Sequence, residues 1–102
     1  NNMDAKTLIP RLTSEFGYPP QGAQLVATKI AAFTPDIRES FATWWTTGNL
    51  PETEVAGYTL TKLMNEHSMK PIAAFLTLDW LAREPDKALS SLKKGHDLLS
   101  LS

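Results

Sequence analysis

The chain has 102 residues, 42% hydrophobic and 21% charged, with a net charge of −1. One domain's length and an ordinary globular balance exclude a disordered polyelectrolyte, and they leave no overall field to draw in nucleic acid or an anionic membrane. No cysteine is present, which removes disulfide scaffolds, thiolate metal centres and cysteine nucleophiles together.

The pattern along the chain is helical, broken by Pro and Gly, with no clear alternating run for a strand. Asn1 and Asn2 precede Met3 and read as a cloning remnant, so a single helical domain is expected over 3–102. A first helix, about Thr7 to Phe16, carries Leu8, Leu12 and Phe16 at four-residue spacing and stops at Gly17. With Thr7 as cap, Pro10 falls in the first turn, where its missing amide costs nothing. Pro19-Pro20 start a second helix with Ala23, Val26, Ala27, Ile30 and Phe33 on one stripe and Leu25 off it. Thr34-Pro35-Asp36 is a cap, a first-position proline and an acid near the positive helix end. The third helix then runs to about Thr47, with Ile37, Phe41 and Trp44 buried, Trp45 at the edge of that stripe, and Gly48 as stop.

Asn49 to Gly57 reads as an unstructured connector. Beyond it Thr59 caps a short helix with Leu60, Leu63, Met64 and His67 on one face, and Ser68 caps a fifth helix, Met69 to Arg83. Glu84-Pro85-Asp86 opens a sixth, which Lys93-Lys94-Gly95 ends. The fold class expected is all-α, a compact bundle of about six short helices. A shift of 51 residues matches Leu12 to Leu63, Pro20 to Pro71, Ala23 to Ala74 and Ala31 to Ala82. Two similar three-helix halves, 3–48 and 58–95, sharing one core therefore stand as one reading, and mere likeness of Pro-started amphipathic helices as the other. Residues 96–102 form a tail.

Leu12, the turn Phe16-Gly17-Tyr18 and the ending at Trp44-Trp45 resemble, at pattern level, the ubiquitin-associated three-helix module. Phe16 stands where that family has Met. The resemblance implies a three-helix fold for the first half, with a ubiquitin-binding surface at the turn and the end of the third helix.

Catalytic chemistry has little support in the residues. His67 shares a face with Leu60, Leu63 and Met64, and adjacent Glu66 points about 100° away, so a helix-end role is expected for it. His96 lies beside Asp97 in a polar stop, with no metal-ligand spacing. Neither a nucleophile elbow nor a glycine-rich phosphate loop occurs. No catalytic, cofactor or metal residue is assigned, and no enzyme is expected. A helix-turn-helix over Leu60 to Leu81 is the first alternative, but its second helix would bring one Arg and a repelling Asp to the groove. A small-molecule pocket between the halves is the second.

The favoured expectation is a small protein-interaction module, homodimeric or docking a partner, without nucleic acid or membrane. No apolar run approaches the roughly 18 residues of a membrane span, and a soluble, cytoplasmic protein is expected. The candidate interface residues are Trp45, Leu25, Ile72, Leu76, Leu98, Leu99 and Leu101. Asp79 and Arg83, at i and i+4, share a face with Ile72 and Leu76. The reading favours that pair facing solvent and exposing the two apolar neighbours, over a buried pair that specifies packing.

Overall fold

The computed structural model describes residues 3–101, with side chains through Ser100. The chain belongs to the all-α class. Its elements are α1 (Ala5–Ser14), α2 (Pro20–Ala31), α3 (Pro35–Thr47), β1 (Glu54–Val55), β2 (Tyr58–Thr59), α4 (Leu60–Glu66), α5 (Pro71–Arg83) and α6 (Pro85–Lys93), then a 3₁₀ turn, η1 (Leu99–Leu101). They group into two compact units, one ending at Phe33 and the other beginning at Thr34. The third helix thus belongs with α4–α6, whereas both the repeat and the ubiquitin-associated resemblance would place it with α1 and α2.

In the first unit α1 packs on α2. The α1 cap is Asp4, not Thr7: its carboxylate accepts from the Thr7 amide at 3.1 Å. Pro10 accordingly lies inside the helix rather than in its first turn, where it removes the amide that would bond the Lys6 carbonyl. Leu8 and Leu12 from α1 and Ala23, Val26, Ala27 and Ile30 from α2 are buried, as their helical spacing requires. Between the helices Gly17 takes φ +74°, and the Tyr18 amide reaches back to the Leu12 carbonyl at 3.2 Å.

The second unit is built on α5, from which nine residues are buried. Packing reverses the expected roles of the two tryptophans of α3. Trp45 is the buried one, 9% exposed, and Trp44 is half-buried. Ile37, Phe41 and Trp45, at i, i+4 and i+8, form the inner stripe. Trp45 stacks on Phe41 with centroids 5.2 Å apart, and Phe41 meets Phe75 of α5 edge-on at 5.1 Å. Trp44 lies over Phe75 at 5.4 Å from the flank.

The connector is not structureless. Ser40 of α3 is buried and hydrogen-bonds Thr53 side chain to side chain, which pins the segment to α3. After it β1 and β2 pair antiparallel, Val55 opposite Tyr58. Their two turn residues, Ala56 and Gly57, have φ of +52° and +84°, the left-handed pair that a two-residue type I′ hairpin needs.

Thr59 caps α4 as expected, its hydroxyl accepting from the Lys62 amide at 3.1 Å. Ser68, by contrast, does not cap α5. It takes φ +57° and ends α4, so that the Met69 amide turns back to the Leu63 carbonyl at 3.4 Å. The fifth helix therefore starts at Pro71, two residues later than expected, with Lys70 in the cap position. In the tail Asp97 and Ser100 bond reciprocally: the Ser100 amide donates to Asp97 Oδ1 at 2.7 Å, and the Asp97 amide to Ser100 Oγ at 3.1 Å. Asn1, Asn2 and the Leu101 side chain lie outside the described residues.

Candidate functional site

Of the residues expected at an interface, three are buried: Trp45, Ile72 and Leu76. The reason for the last two is the environment of Asp79, which is itself buried. Asp79 Oδ1 accepts from the Thr34 amide at 2.9 Å and from the Thr34 hydroxyl at 3.0 Å. Its Oδ2 accepts from Arg83 Nε at 2.8 Å. A carboxylate can leave water when donors replace its hydration, and here the first turn of α3 supplies two of them. Asp79 therefore turns inward, taking Ile72 and Leu76 with it, while Arg83 stays exposed at the rim. Leu98 and Leu99 are half-buried.

Leu25 remains. Among the described residues it and Phe16 are the large apolar side chains that stand exposed, at 47% and 36%. Phe16 sits under the Arg11 guanidinium, 6.0 Å from the ring centre. At about 100° per residue, Leu25 lies roughly 200° around α2 from both Ala23 and Ala27, in the middle of the side facing away from the buried stripe. Its exposed neighbours on that side are Gln21, Gln24, Thr28 and Ala32, none of them charged. Along the whole stretch from Phe16 to Pro35 the single charged residue is Lys29. A lone exposed leucine is ordinary on a soluble protein. An outer helix face with one charge, the half-buried Lys29 a turn after Leu25, is sparse by comparison, because solvated faces are normally where Lys and Glu collect.

Two open grooves lie in the second unit. One, of about 280 Å³, is bordered by Thr34, Pro35, Ile37, Val55 and Ala82. The other, of about 250 Å³, runs between α3 and the segment Asn49 to Thr53. Both fall below the roughly 300–1,000 Å³ of small-molecule sites. Among the described residues no three His, Asp or Glu side chains converge as metal ligands. His67 is occupied at the end of α4, its ring 5.7 Å from that of Tyr58, and the Lys62 ammonium lies 4.8 Å over the same tyrosine.

The helix that a helix-turn-helix would present to a groove, α5, is buried continuously from Ile72 to Asp79. Among the described residues no helix is long and apolar enough to cross a membrane. No protein-family model matches the chain, and no curated protein or solved structure matches it.

Proposed function

We propose that the protein is a non-catalytic helical interaction module that docks a protein through the outer face of α2. The observation that carries this reading is the 47% exposure of Leu25 on a face whose other exposed residues, Gln21, Gln24, Thr28 and Ala32, are uncharged, with the half-buried Lys29 one turn further on. Interface cores are depleted in charge and built around a desolvated apolar anchor, and that is the composition of Gln21, Gln24, Leu25 and Thr28. Dehydrating such a face costs little compared with stripping water from Lys or Glu.

A photo-reactive residue placed at Gln24 tests it, with the same probe at Thr61, an exposed residue of α4, as control. A saturable adduct at Gln24 that Leu25→Lys abolishes is the expected result. Equal labelling at the two positions, or labelling that Leu25→Lys leaves unchanged, removes the reading.

A further inference from the structure

We draw no further inference here: the strongest candidate, the outer face of α2 around Leu25, already carries the docking reading, and nothing in the structure shows what covers it.

Discussion

Replacing Asp79 by Ala removes one side chain that serves two elements at once. Three contacts go: two donated by Thr34, at 2.9 and 3.0 Å, and one by Arg83, at 2.8 Å. A hydrogen bond to a charged group contributes about 1.5–3 kcal/mol, and a donor left dry costs about 1–3. Thr34 is half-buried, so water recovers part of that loss. The Arg83 contact involves a side chain 47% exposed, which solvent screening holds to about 0.5 kcal/mol. Asp79→Ala is therefore expected to destabilise the second unit by about 2–3 kcal/mol, and Arg83→Ala by only about 0.5. Urea unfolding followed by tryptophan emission measures both, because Trp44, Trp45 and Trp80 all lie in that unit. Repeating the titration near 1 M salt should shrink the Arg83 effect and leave most of the Asp79 effect. If the two substitutions cost the same, Asp79 acts through the ion pair, and the assignment of Thr34 as its principal partner is wrong.

Three further outcomes follow from single residues. The Thr77 hydroxyl is fully buried and has no hydrogen-bond partner among the described residues, so the near-isosteric Thr77→Val should raise stability by about 1 kcal/mol, visible as a higher urea midpoint. Ala56 takes φ +52° in the hairpin turn, a conformation Asn adopts with less strain; Ala56→Asn should raise the thermal midpoint, by about 0.5–1 kcal/mol of stability. The Thr7 amide bonded to the Asp4 carboxylate holds that group below its ordinary value of 3.8. A depressed carboxylate stabilises above its unfolded pKa and ceases to do so as pH falls through the folded one. Protection of the Thr7 amide relative to its intrinsic exchange rate should thus be lost as pH falls below 3.8, whereas in Asp4→Asn the same amide should show no such acid step.

What was legible in the sequence is what depends on neighbours within a turn. Pro20, Pro35, Pro71 and Pro85 each stand at a helix start, because a residue with fixed φ and no amide fits where amides lack partners anyway. Gly48 ends α3 at φ +81° for a reason equally local. Trp44 and Trp45 were ambiguous because both i+7 and i+8 complete a stripe begun by Ile37 and Phe41. Only the position of Phe75, about thirty residues on, decides between them. Ser68 and Ala56 misled for a different reason. Each holds a left-handed conformation in which Gly or Asn is the usual signal, and the tertiary setting overrode the local preference.

Asp79 shows how one unseen partner can redirect a functional expectation. From the sequence its only visible partner is Arg83, four residues on, and an ion pair alone belongs in solvent, which would draw Ile72 and Leu76 to the surface with it. Thr34 lies 45 residues away and leaves no trace in local spacing, yet its two donors allow the carboxylate to be buried. With that, the apolar residues of α5 cease to be candidates for an interface. Leu25 needs no such rescue: the four buried residues of α2 already form one stripe, and no inward-facing position is left for a side chain on the opposite side. The exposure of Leu25 thus follows from its own helix, whereas the burial of Ile72 and Leu76 follows from a partner of Asp79 distant in the chain.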